Sequence, residues 1–181
     1  LEIISADSRF KYFENEKNCG VGLTKAKLIE LATGEICGFV DPDDALFANA
    51  LEDSILAIQS NKRIICTYSH LTLCDAFLTK TKIHKGIKQI YNDLYFFNSP
   101  MQLSHFFTFK RDAYFNTNGI DTQLKSAVDQ DLYLKLLEQG DAKFINKEMY
   151  RYRLHSEGVS QEKSKSSAKN NFALVIFNAM K

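Results

Sequence analysis

The sequence has no tryptophan, two prolines, and no pair of cysteines in a C-x-x-C pattern. Its net charge is +1, so no basic excess draws the chain onto nucleic acid and no long acidic tail repels it. No apolar run reaches the length needed to cross a bilayer. The first nine residues carry neither a basic flank nor a long apolar stretch, so they do not read as a signal peptide. The four cysteines, Cys19, Cys37, Cys66 and Cys74, are scattered, and Cys37 and Cys66 sit inside apolar runs. That pattern excludes a clustered zinc site and reads as reduced thiols in a cytoplasmic protein.

What is present is an ordinary globular composition, 45% apolar and 25% charged over 181 residues, enough for one domain with a real core. The chain opens on Leu1 rather than Met, as an excised or processed fragment does. No internal repeat is visible. The Ser- and Lys-rich stretch from Gly158 to Lys169 reads as a linker. Beyond it Phe172, Val175, Ile176 and Ala179 mark a short amphipathic helix.

The first half alternates between strand and helix. Phe10 to Phe13 reads as a short strand, and Gly22 to Ala32 as a helix ended by Gly34. Ile36 to Val40 reads as a buried parallel strand. Leu46 to Gln59 reads as a helix with Phe47, Leu51, Ile55 and Ile58 on one stripe. Arg63 to Tyr68 is a second buried-type strand. Leu78 to Gln102 is irregular, and its run Tyr95-Phe96-Phe97 reads as core rather than a sugar-stacking platform. His105 to Phe109 is expected to be a strand, Asp129 to Gln139 a helix buried on Leu132, Tyr133, Leu136 and Leu137, and Ala142 to Leu154 extended structure. The fold class is therefore α/β, with a mixed, mostly parallel sheet flanked by helices.

Asp41-Pro42-Asp43-Asp44 follows the apolar run directly. In open α/β sheets ligands bind beyond the carboxyl ends of strands, and three adjacent carboxylates repel unless a cation neutralises them. Hard cations such as Mg²⁺ or Mn²⁺ take oxygen ligands and share them with diphosphates. A plain turn in which Asp43 or Asp44 caps the following helix is the competing reading. An EF-hand fails because Leu46 occupies the position that needs glycine. A Mg²⁺-dependent phosphohydrolase with Asp41 as nucleophile fits less well, because Asp44 and Ala45 follow the Asp-x-Asp pair.

Three blocks of sequence carry a resemblance. The first runs through Asn18-Cys19-Gly20, Ala32-Thr33-Gly34-Glu35 and Phe39-Val40-Asp41-Pro42-Asp43-Asp44. The second comprises Phe109-Lys110-Arg111, Gly119-Ile120-Asp121 and Ala127-Val128-Asp129-Gln130-Asp131-Leu132, closing on Glu138-Gln139-Gly140. The third is Tyr152-Arg153-Leu154-His155 followed by Ser160. In order and spacing they resemble family 2 glycosyltransferases of the GT-A, Rossmann-like fold. Two positions depart from that family: Val128 stands where it has Glu, and Lys25 where it commonly has Arg.

The resemblance implies inverting transfer of a sugar from a nucleotide-sugar donor to a hydroxyl on a carbohydrate or lipid-linked saccharide acceptor, in cell-surface polysaccharide synthesis. It implies Asp43, Asp41 and His155 at a Mg²⁺ or Mn²⁺ ion, Asp41, Lys25 and His155 at the donor's diphosphate, and Asp129 as the general base. Lys27 is a weaker candidate for the nucleotide, and Asp131 reads as a structural acid of the first helical turn. His70, His84 and His105 are assigned no role. It also implies an N-terminal base-binding unit, which is expected to be missing before Phe10, Leu1 to Asp7 being its tail. Residues 1–157 are then a catalytic-core fragment, expected to be inactive by itself, and residues 158–181 a linker and C-terminal helix. An uncovered sheet edge or apolar face is expected to pair with a second copy. The location implied is the cytoplasm, at the inner face of the membrane. A non-catalytic module of the same fold is the alternative that Val128 favours.

Overall fold

The computed structural model describes residues 7–84, 87–91, 103–155 and 165–181, the side chains of residues 165–168 apart. The centre of the sheet is β3 (Ile64–Cys74), buried along most of its length on both faces. Its Ile64-Ile65-Cys66-Thr67-Tyr68 start is β-branched and aromatic, and suits a strand covered on both sides. On one side it pairs in parallel with β6 (Asp141–Arg153), through a ladder interrupted by register shifts near Cys66 and His70. On the other it pairs antiparallel with β5 (Thr108–Lys110).

The order across the sheet is β1 (Ile36–Gly38), β5, β3, β6 and β2 (Ala45–Leu46), with β4 (Lys80–Ile83) paired to the end of β3. The mixed sheet with flanking helices is as expected, but its parallel part is the single β3–β6 ladder. Every other ladder among the described residues is antiparallel. The run Ile36 to Val40 contributes only three residues of strand, half-buried and antiparallel to β5.

Helix α1 (Gly20–Leu31) covers one face with Ile29 buried. It approaches the chain at Asp121–Leu124 so closely that a Cβ on Gly22 would lie 3.1 Å from the Asp121 carbonyl oxygen. Helix α2 (Ala50–Gln59) begins at Ala50, four residues later than the periodicity suggests, because Ala45–Leu46 pairs with β6 instead. Its buried positions are Ala50, Ser54 and Ile58, whereas Leu51 and Ile55 are exposed. Small residues at Ala50 and Ser54 let the helix sit close on the sheet; of the expected apolar stripe Ile58 is buried, while Leu51 and Ile55 face outward.

After α3 (Arg111–Phe115) comes α4 (Val128–Leu137), which buries Leu132, Tyr133, Leu136 and Leu137 as expected. Helix α5 (Lys165–Ala179) inserts Val175 into the same core, and Asn171 Nδ2 donates to Ser126 Oγ at 2.8 Å. The extended stretch after residue 140 forms one strand. Phe10 to Phe13 forms no strand, and its aromatic rings are exposed. The Tyr95-Phe96-Phe97 run and most of the linker lie outside the described residues. All four cysteines are free thiols, Cys66 and Cys74 buried and Cys19 and Cys37 half-buried. No helix among the described residues is long and apolar enough to cross a membrane.

Candidate active site

The parallel pair β3 and β6 ends at Cys74 and Arg153, and the loop between β1 and β2 crosses those ends. This loop is Asp41-Pro42-Asp43-Asp44, closed by a turn in which Asp44 N–H donates to the Asp41 carbonyl at 3.0 Å. Strand β6 and the residues after it hold it in place. The fully buried Tyr150 accepts a hydrogen bond from Asp41 N–H at 3.2 Å and donates its hydroxyl to the Asp44 carboxylate. Arg153 N–H donates to Asp44 Oδ1 at 2.8 Å, and its Nε donates to the Asp43 carbonyl at 2.5 Å. Asp44 therefore braces the loop through β6 and caps no helix; the residue at the N-cap of α2 is Asn49. Burial pushes the Asp44 carboxyl above its ordinary pKa, against the hydrogen bonds it accepts.

The three acids of the loop have different partners. Asp43 Oδ2 lies 2.7 Å from His155 Nε2. That hydrogen bond holds the Asp43 carboxyl below the usual carboxylate range. Asp41 Oδ1 lies 3.1 Å from Lys25 Nζ, on α1. The Lys25 side chain is 14% exposed and its ammonium stands 5.1 Å from the centre of the Phe39 ring. Lys27 instead meets Glu30 at 3.6 Å on the exposed face of α1. Among the described residues no group of three or more His, Cys, Asp or Glu side chains gathers at one point.

Lys25 and Phe39 also line a narrow crevice of about 10 Å³ with Asp129, His105, Phe107 and Tyr133. Asp129 lies in the first turn of α4. The residue before that helix, Ala127, has φ 59°, a left-handed conformation that costs a non-glycine residue on the order of 1–2 kcal/mol. Asp131, two residues on, has a side chain that is 7% exposed and bonded through Oδ2. It meets Lys135 Nζ at 2.7 Å and accepts the Asp121 N–H at 3.1 Å, while Lys135 also donates to the Gly119 carbonyl. Asp131 thus ties the Gly119–Asp121 turn to α4. Val128 is buried in the core.

Two residues given no role by the sequence belong to this site. His105 stacks on Tyr150 with ring centres 4.8 Å apart, and its backbone oxygen accepts from Ser69 Oγ. Burial keeps its imidazole below its ordinary pKa, so it is a neutral group at the crevice. Tyr150 itself carried no sequence signal beyond its place in a strand. His70 packs on Phe144 and bonds Asn146 at 2.9 Å, and His84 is exposed beside β4. Lys25 also lines a groove of about 310 Å³ with Asn15, Asn18, Thr24, Val40 and Asp41.

Comparisons with known proteins bear on this arrangement. The pattern of glycosyl transferase family 2 matches residues 1–115. Chondroitin synthase of Escherichia coli is 31% identical over 163 residues, which are 90% of this chain and 24% of that protein. Hyaluronan synthase of Pasteurella multocida is 28% identical over 171 residues, 89% of this chain and 16% of that protein. The chain thus spans a quarter or less of the length of these relatives. The crystal structure of S. aureus TarS 1–349 in complex with UDP-GlcNAc superposes with a TM-score of 0.72 at 17% identity, over 96% of this chain and 52% of that one. At that identity the likeness is one of fold.

Proposed function

The chain belongs to glycosyl transferase family 2, and we propose that its acidic cleft serves inverting transfer of a sugar from a nucleotide-sugar donor to a hydroxyl of a saccharide acceptor, in polysaccharide synthesis. The observation that carries this reading is the meeting of the Asp41–Asp44 loop with the Arg153–His155 segment, while Lys25, the partner of Asp41, lines the crevice that Asp129 also lines. The names of two relatives, both polysaccharide synthases, support the product class. The UDP-GlcNAc bound to S. aureus TarS, a structural neighbour, supports the donor class.

In this reading each residue has a defined task. Asp129 takes the proton from the acceptor hydroxyl as that oxygen attacks the anomeric carbon. The bond from that carbon to the diphosphate breaks on the opposite face, and the nucleoside diphosphate leaves with the electron pair. Lys25 engages the diphosphate, exchanging its partner Asp41 for phosphate oxygens. His105 lines the crevice beside Asp129.

The donor types at the loop, though not their present pairing with Lys25 and with each other, suit a divalent cation. Asp43, with Asp41 and His155, offers carboxylate oxygens and an imidazole nitrogen, a set suited to Mn²⁺ and to Mg²⁺ if the oxygens dominate. Such an ion would offset the charge developing on the leaving diphosphate.

Calorimetry of UDP binding to the intact protein, with and without Mn²⁺, tests the metal part. Asp43→Asn and His155→Ala should each weaken Mn²⁺-dependent UDP binding by about tenfold or more. Unchanged affinity in both variants would remove the ion from this site. Proton NMR of the first product tests the stereochemistry: its anomeric configuration should be opposite to the donor's, and retention would rule out direct displacement.

A further inference from the structure

Phe77 is 90% exposed, the most exposed large apolar side chain among the described residues. It sits at the tip of the turn between β3 and β4, and that turn is firmly built. Asp75 Oδ1 accepts the N–H groups of both Phe77 and Thr79 at 2.9 Å. Asp75 N–H donates to the Thr79 carbonyl at 2.9 Å, and Leu78 N–H to the Asp75 carbonyl at 3.0 Å. Leu78 is held at φ 61°, a conformation that a branched side chain adopts only when its surroundings impose it.

The turn is joined to the acidic loop by one guanidinium. Arg153 Nη1 donates to the Ala76 carbonyl at 2.7 Å while its Nε donates to the Asp43 carbonyl at 2.5 Å. Leu154, 41% exposed, donates its N–H to the Cys74 carbonyl at 2.9 Å and directly precedes His155. The turn that carries the exposed ring, and Leu154, are therefore both joined by hydrogen bonds to the ends of β3 and β6, where the Asp43–His155 pair lies. A single exposed apolar residue is ordinary. One carried on a hydrogen-bonded turn, itself tied through Arg153 to the candidate metal loop, has a fixed backbone position beside that loop.

Resting on the transferase reading above, we propose that Phe77, with Leu154 at the end of β6, is a stacking platform for a pyranose ring of the saccharide acceptor. The C–H groups on one face of a pyranose pack on an aromatic face, while the hydroxyls at its edge stay hydrogen-bonded. The platform is one ring and one Leu wide. That matches a sugar and falls far short of the roughly 800 Å² per partner that a stable protein interface needs. It also lacks the long apolar helical face with which proteins lie in a membrane surface.

The test compares the intact wild-type protein with Phe77→Ala and Phe77→Tyr. The probes are cellotriose, chitotriose and a trisaccharide of alternating glucuronate and N-acetylhexosamine, read by saturation-transfer NMR. Parallel measurements follow UDP with Mn²⁺, and vesicles of phosphatidylcholine with phosphatidylglycerol. At least one trisaccharide should contact the protein through the C–H protons of one ring face. Phe77→Ala should weaken that binding about tenfold, Phe77→Tyr should stay within about twofold, and UDP affinity should be the same in all three. Saccharide binding unchanged in Phe77→Ala, or no binding of any trisaccharide to the wild type, would overturn the platform. So would Phe77-dependent binding to vesicles but not to sugars. Saccharide binding at Phe77 by a protein that takes no UDP with Mn²⁺ would keep the platform and overturn the transferase reading instead.

Discussion

His155 Nε2 lies 2.7 Å from Asp43 Oδ2, across 112 residues of sequence. The contact exists because β6 runs parallel to β3 and delivers its last residues to the loop that follows β1. The same delivery places the Tyr150 hydroxyl between Asp41 N–H and the Asp44 carboxylate, and Arg153 on the Asp43 carbonyl. The acidic loop is thus shaped from behind by one strand.

Tyr150→Phe tests that bracing. The ring still fills the core and still stacks on His105, but Asp41 N–H and the half-buried Asp44 carboxylate each lose a partner. Loss of such hydrogen bonds at a charged group should lower stability by about 1.5–3 kcal/mol. Urea denaturation of the two proteins measures it. A change below about 0.5 kcal/mol would mean that water replaces the hydroxyl and that the loop does not depend on it.

Gly140 tests the junction between α4 and β6. A Cβ there would lie 2.9 Å from the Arg63 carbonyl oxygen and 2.9 Å from Ile65 Cγ2. Backbone cannot yield as a flexible side chain tip can, so Gly140→Ala should destabilise by about 1–3 kcal/mol. Thermal unfolding would show a lowered midpoint. An unchanged or raised midpoint would show that the strands separate at little cost.

The acid limb of stability should depend in part on Glu148. Lys80 and Thr72 both donate to its carboxylate, and the ion pair with Lys80 measures 2.8 Å. They hold its carboxyl below its ordinary value of 4.5. A carboxyl lowered on folding contributes stability that is full above the unfolded pKa and is lost as pH falls through the folded pKa. Glu148→Gln should therefore flatten the fall in stability below about pH 4.5, relative to wild type, in denaturation curves taken at successive pH values. An identical slope in both proteins would assign the acid limb to other groups.

The acidic loop and the helix that carries Asp129 were legible as local patterns. Three acids after an apolar run marked a loop that the fold sets against Arg153 and His155, and Asp129, expected at the start of a helix with Leu132, Tyr133, Leu136 and Leu137, lies in the first turn of α4. Strand direction was less legible. Ile36 to Gly38 follows a helix and precedes another, which suggests a parallel crossover, yet its partner β5 comes about seventy residues later and runs antiparallel. Helix α2 misled for a different reason: Leu51 and Ile55 share a spacing of four, but the sheet takes the small side chains of Ala50 and Ser54. His105 and Tyr150 could not be found, because a lone His or Tyr in an apolar stretch looks the same whether it fills a core or lines a cleft.

The most direct test of the account compares Asp129→Asn with Asp131→Asn in the intact protein, at saturating donor and acceptor. Asp129 faces the crevice that Lys25 and His105 line, whereas Asp131 is spent on Lys135 and the Asp121 N–H. Asp129→Asn should keep donor binding and lose about 10²–10⁴-fold in turnover, as removal of a general base does. Asp131→Asn should keep most of its turnover and lose stability instead. Near-normal turnover in Asp129→Asn with a dead Asp131→Asn would contradict the account and move the base two residues along α4.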